Sequence, residues 1–244
     1  MQKPGRYIGG EYNRVMKDKH TVKCRFAFCF PDTYEIGMSN LGVRILYDVL
    51  NRHPDIWCER VYAPWTDMTA RMEEYKLPLS AVESGDPVRD FDLVGFSMHY
   101  ELCYTTVLRM MKLADIPIYS KDRDDNCPII IGGGPCTYNA EPVADFFDLF
   151  NIGEGEEMLV ELSELYMKMK ADGTYTRKSY LLTAARTIKG IYVPSLYTVT
   201  YNDDGTIAAY TPNEEGVPEK VTKRIVGDMD AAPYPEKLIM PYIE

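Results

Sequence analysis

Residues 128–135 read PIIIGGGP, and the reading of this stretch decides the fold. Three consecutive β-branched residues, Ile129, Ile130 and Ile131, describe a strand buried on both faces. Gly132, Gly133 and Gly134 then end it. Lacking a Cβ, these glycines let the backbone turn sharply and let a flat or phosphorylated ligand come close. In an open parallel sheet, ligands sit outside the carboxyl ends of the strands, which is where the glycines fall. Taken alone, the stretch reads equally well as a plain strand-to-loop turn, because a glycine cluster is a weak motif. Other strands that end in the same way favour a site.

Outward from this strand the chain alternates. Strands are expected at residues 22–30, 56–63, 92–98 and 149–152, with a short one at 116–119. Helices are expected at about 39–51, 66–75, 101–114, 142–147 and 156–170. In the first of these, Leu41, Ile45, Leu46, Val49 and Leu50 follow the 3.6 period, and Ser39 or Asn40 can cap the first turn. Strand and helix in alternation predict an α/β fold, a doubly wound, Rossmann- or flavodoxin-like parallel sheet of about five strands covered on both faces. Residues 1–20 read as an N-terminal arm and 21–171 as the α/β domain. Residues 172–244 read as an appendage: a helix near 174–188, a hairpin around residues 202–206 (NDDGT), and a proline-bearing linker.

Composition bounds the function. The chain has 244 residues, 45% of them hydrophobic, enough for a real core. Its formal net charge of −10 argues against non-specific nucleic-acid binding and against an anionic membrane surface. No run approaches the ~18 apolar residues of a membrane span. The polar first twenty residues carry no apolar signal core, so a cytoplasmic location is expected. The six cysteines, Cys24, Cys29, Cys58, Cys103, Cys127 and Cys136, form no CxxC pair, and most lie in apolar strand-like runs. They are expected as free thiols with no metal.

Four strand ends carry the candidate site: residues 31–37 (PDTYEIG), 97–100 (SMHY), 132–135 (GGGP) and 153–156 (GEGE). In a doubly wound sheet all four face one edge. Small residues and backbone groups there suit a large planar cofactor whose tail slips between strand and helix, or a nucleotide phosphate at a helix N-terminus. Asp32 either orients a neighbour or cofactor amide, or caps a turn. Ser97 is a small hydroxyl at a strand end. His99 either touches a ligand edge or is a satisfied structural histidine. Glu154 and Glu156, near a helix start, suit the helix dipole with or without a ligand.

Asp32-x-Tyr34-x-x-Gly37, then Ser97-x-His99, then Gly132-Gly133 resembles the cobalamin-binding domain pattern, which reads D-x-H-x-x-G, S-x-L and G-G in that order. The GEGE at 153–156 is similar to the end of this domain in cobalamin-type radical SAM proteins. The resemblance covers roughly residues 20–170 and implies the N-terminal cobalamin-binding-type domain of an uncharacterised group of such proteins. It implies cobalamin as cofactor, contacted by Asp32, Tyr34, Gly37, Ser97, His99, Gly132, Gly133, Gly134, Gly153 and Glu154. Ser97 would hydrogen-bond the buried nucleotide base.

Three departures shape what it implies. Tyr34 replaces the histidine that can ligate cobalt, and a phenol with a pKa of about 10 is a poor metal ligand. Cobalamin would therefore be held without a protein base. His99 replaces the leucine. The chain has no CxxxCxxC, so the iron–sulfur cluster and S-adenosylmethionine would belong to a radical SAM barrel outside it, the expected partner, and this chain alone would not be catalytic. Two other readings stay open: a degenerate cobalamin-like fold without cofactor, used for docking or substrate recognition, and a flavodoxin-like or nucleotide-binding receiver. The last would need a phosphate cradle, and neither GxxxxGK[ST] nor a GxGxxG after the first strand is present.

Overall fold

The computed structural model describes residues 2–230 and 232–241. Five parallel strands form the sheet: β1 (Cys24–Phe30), β2 (Ile56–Tyr62), β3 (Leu93–Ser97), β4 (Ile129–Gly133) and β5 (Leu149–Asn151). A two-residue sixth strand, β6 (Ile191–Tyr192), pairs antiparallel with β5. The order is β2-β1-β3-β4-β5-β6. In this doubly wound order the chain reverses its direction of travel between β1 and β3, and the crevice at that point is where such sheets bind ligands.

Period-two alternation divides the core. Phe26, Phe28, Leu93, Ile129, Ile131 and Leu149 pack on one face, against α2 (Leu41–Arg52), which follows the short α1 (Tyr34–Ser39), and against α5 (Met158–Ala171) and α6 (Arg177–Thr187). Ala27, Cys29, Val94, Phe96 and Ile130 pack on the other, against α3 (Thr66–Tyr75) and α4 (Tyr104–Leu113). The Asn40 side chain accepts the Val43 N–H and starts α2. A reciprocal cap between Thr176 and Ser179 starts α6.

The strand expected at 116–119 does not form. The carbonyls of Pro117 and Ile118 accept instead from the Arg123 guanidinium, at 2.9 and 2.8 Å, so no ladder can use them. The hairpin does form, from β7 (Tyr197–Tyr201) and β8 (Ile207–Pro212). Residues 172–192, read from sequence as the start of an appendage, pack into the main core: Tyr180, Ala184 and Ile191 are buried there and β6 joins the sheet. Residues 242–244 of that segment lie outside the described residues. The N-terminal arm is also anchored, by Glu11 pairing with the fully buried Arg60, which Glu83 holds from the other side. Cys24, Cys29, Cys58, Cys103 and Cys136 are buried and all six thiols are free. No helix among the described residues is long and apolar enough to cross a membrane.

Candidate functional site

At the carboxyl edge of the sheet a cleft opens between the strands and helices α2 and α5. About 740 Å³ of empty space lies within it, the open solvent at its mouth included. Its floor is Gly95 and Ser97 of β3, Ile131 and Gly133 of β4, and Asn151 of β5. Phe26, Phe28, Leu46 and Leu159 give it apolar walls, and residues 153–156 close one end. The floor positions follow from the pleat: every second residue of β3, β4 and β5 faces α2 and α5, and at the strand ends those residues are small.

Six of the ten sequence-predicted residues line this cleft: Ser97, His99, Gly133, Gly134, Gly153 and Glu154. Ser97 Oγ lies 2.9 Å from His99 Nε2, and the His99 ring stacks at a tilt 5.3 Å from Phe30. Gly134 turns the chain out of β4 at φ +96°, with the Met98 backbone where a Cβ would be. Glu154, at the rim, has its Oε2 accepting the Val226 N–H at 2.5 Å. Beside it Gly153 pairs with Arg224 in a parallel bridge, and the Arg224 guanidinium holds Glu157 and Glu161. The late, proline-bearing segment is thus strapped to the rim of the cleft.

The other four lie nearby. Gly132 faces the opposite side of the sheet, against Phe150 and Met98. Asp32 accepts from the Thr33 N–H at 2.7 Å and from the Tyr100 hydroxyl at 3.2 Å, tying the loop after β1 to the loop after β3. Tyr34 lines a separate cleft with Tyr62 and Val82, and donates its hydroxyl to Glu11 at 2.8 Å. Burial, then the Glu11 carboxylate, push the phenol well above its ordinary range, so it stays neutral and occupied. Gly37 packs against the Tyr62 ring.

Sequence reasoning missed Asn151, Gly42, Gly95 and Gly155, which complete the lining. Gly155 was visible within GEGE. A lone Asn at a strand end carries no signal distinct from an ordinary turn residue.

The polar groups are few and placed. Burial lowers the His99 pKa from its ordinary 6.5, so the imidazole is neutral at pH 7, with one ring nitrogen donating and the other accepting. An unfolded chain takes up that proton near pH 6.5, while the folded chain takes it up only at lower pH. Stability is therefore fully present above pH 6.5 and is lost as pH falls from there toward the lower folded value. The urea midpoint of the native protein is expected to drop over that window more steeply than that of His99→Gln. Parallel pH profiles for the two would contradict the assignment.

The cleft has apolar walls, small residues along its floor, and a hydroxyl and an imidazole beside them. Tyr34, engaged by Glu11, lies outside this cleft.

Residues 42–194, more than half of the chain, match the family described as radical SAM proteins, N-terminal. The chain belongs to that family. An uncharacterized protein of Methanocaldococcus jannaschii is 25% identical to this N-terminal radical SAM chain over 154 residues, 62% of the chain and 28% of that protein. The chain thus spans little more than a quarter of that relative's length. Among solved structures, the chain is similar to the cobalamin-dependent S-adenosylmethionine radical enzyme OxsB with aqua-cobalamin and S-adenosylmethionine bound. Identity is 14% and the TM-score 0.41, over 81% of this chain and 24% of that one. It is also similar to the radical S-adenosylmethionine methyltransferase TsrM from Kitasatospora setae, at 14% identity and a TM-score of 0.41, over 74% and 29% of the two chains.

Proposed function

We propose that this chain is the cobalamin-binding module of a radical SAM protein. It holds the nucleotide tail of cobalamin in the cleft between the sheet and helices α2 and α5. It presents the corrin to a radical SAM domain elsewhere in the same protein, where the iron–sulfur cluster and S-adenosylmethionine reside. The observation that carries this reading is the glycine-floored cleft at the carboxyl edge, beside the β1/β3 reversal, lined by Ser97, His99, Gly133 and Gly134. Family membership supports the radical SAM setting. Bound there, cobalamin would supply cobalt to relay a methyl group or otherwise join the radical reaction.

This chain's residues would bind and orient. Ser97 and His99 form a hydrogen-bonded pair that can offer a donor or an acceptor to the tail. The phenylalanines keep water from the base. With Tyr34 turned to Glu11, the cofactor is held without a protein ligand to cobalt. The alternative, a fold that has lost its cofactor and serves only for docking, needs Tyr34 and His99 to fill the groove. Tyr34 faces a different cleft, and the space above Gly133 stays open.

The test is to incubate purified protein with hydroxocobalamin, pass it through gel filtration and record the visible spectrum of the protein peak. A co-eluting corrinoid is expected at near one equivalent. A colourless peak from both this chain and the full-length protein would overturn the reading.

A further inference from the structure

Residues 153–156 (GEGE) form one end of the cleft, and Gly153 and Gly155 both line it. A loop in which every second residue is glycine has little stiffness of its own. Its shape here is set by a segment much later in the chain. The Arg224 N–H donates to the Ile152 carbonyl at 2.9 Å, and the Arg224 carbonyl accepts the Glu154 N–H at 3.2 Å. The Val226 N–H donates to Glu154 Oε2 at 2.5 Å. At the other end of the loop, where α5 starts, Arg224 Nη2 donates to Glu157 Oε2 at 2.5 Å and to Glu161 Oε1 at 2.8 Å. The contact is close: a Cβ at Gly153 would stand 2.1 Å from the Arg224 carbonyl oxygen. Arg224 is not itself among the lining residues.

One residue thus grips both ends of the loop. Its backbone holds the end that leaves β5, and its side chain holds the end that enters α5. We infer, resting on the reading proposed above for the cleft, that Arg224 is a positioning residue: it fixes this wall of the cleft, so that cobalamin binding and the docking of residues 222–226 are coupled. Such coupling is reciprocal. Whatever the docked segment adds to the affinity for cobalamin, cobalamin returns to the docking of the segment.

Amide hydrogen exchange of the intact protein, with and without saturating hydroxocobalamin, reads one direction. Exchange across residues 222–226 is expected to slow about tenfold on binding, while the hairpin strands β7 and β8 exchange as before. Arg224→Gln reads the other direction, because it removes both ion pairs to α5. Hydroxocobalamin affinity, read by visible titration, is expected to weaken about tenfold. Arg186→Gln loosens the same tail elsewhere, at the Glu215 carbonyl, and is expected to keep the wild-type affinity. The double variant Glu157→Gln, Glu161→Gln provides the same comparison if Arg224→Gln does not fold, as judged by its thermal transition. Wild-type affinity in a folded Arg224→Gln would overturn the inference, as would an equal loss in Arg186→Gln or equal exchange across 222–226 in the free and loaded protein. Each of these leaves the cobalamin reading standing. A wild-type protein that binds no hydroxocobalamin overturns the two together.

Discussion

Asp148→Asn is expected to lower folding stability by about 3–5 kcal/mol, the cost of leaving a buried charge without its partner. Asp148 is buried between two arginines on different elements. Its Oδ2 accepts from Arg123 Nη1 and from Arg177 Nη2, each at 3.0 Å, and from the Ile130 backbone N–H at 2.7 Å. Its Oδ1 accepts from Arg177 Nε at 3.3 Å. The two guanidiniums spend their other donors on backbone carbonyls, Arg123 on Pro117, Ile118 and Phe146, and Arg177 on Asp124, Cys127 and Pro128. One carboxylate thus ties the start of β4, the start of α6 and the 117–128 loop together. Burial already lowers the Arg123 pKa despite the carboxylate beside it. Asparagine keeps the shape but removes the negative charge that faces both cations. Arg177→Met should cost less, because Asp148 then keeps Arg123 and the Ile130 N–H. Urea unfolding measures both. The midpoint should fall much further for Asp148→Asn than for Arg177→Met, with unchanged m-value, and a loss below 1 kcal/mol for Asp148→Asn would show the network to be dispensable.

That network also explains what the sequence could and could not say. Runs such as residues 129–131 and 93–96 announce themselves as strands because a doubly covered strand is apolar on both faces, and from these the alternating α/β fold is legible. β6 is two residues long and is specified by pairing with β5, not by any local pattern. The helix at Arg177–Thr187 is visible, but one of its ties to the main domain runs to Asp148, 29 residues earlier. Likewise the segment read as an irregular arm is held by Glu11 on Arg60, 49 residues away. Partners at such separations leave no mark on local composition, so the core's true extent past residue 171 was not readable.

The site was half legible for a related reason. The motifs locate strand ends, and the strand ends do meet at one edge. Which side chains then enter the cleft is set by the pleat and by neighbours. Tyr34 sits in the motif yet is drawn to Glu11, and Glu154 to the backbone of Val226.

The glycine triplet provides the sharpest test of the cleft itself. Gly133→Leu is expected to abolish corrinoid retention, at least about a hundredfold in affinity, while leaving the fold intact. An added Cβ at Gly133 finds its nearest neighbour, the Phe96 carbonyl oxygen, 3.9 Å away, so the branch point meets no close contact. The backbone at this strand residue is not in the left-handed region, and replacing glycine within a strand removes a conformational-entropy cost. The leucine side chain would stand on the floor of the cleft, where the nucleotide tail is proposed to lie. Gly132, one residue earlier, points to the opposite face, and a Cβ there would come within 2.5 Å of the Phe150 ring and 3.0 Å of Met98. Gly132→Ala should therefore lower the thermal midpoint through overpacking, with corrinoid affinity little changed in the fraction that remains folded. Adjacent residues in one motif would then separate cleanly, one affecting binding and the other stability. Wild-type hydroxocobalamin affinity in a well-folded Gly133→Leu would move the binding site away from this cleft, because no ligand tail can share that floor with a leucine side chain.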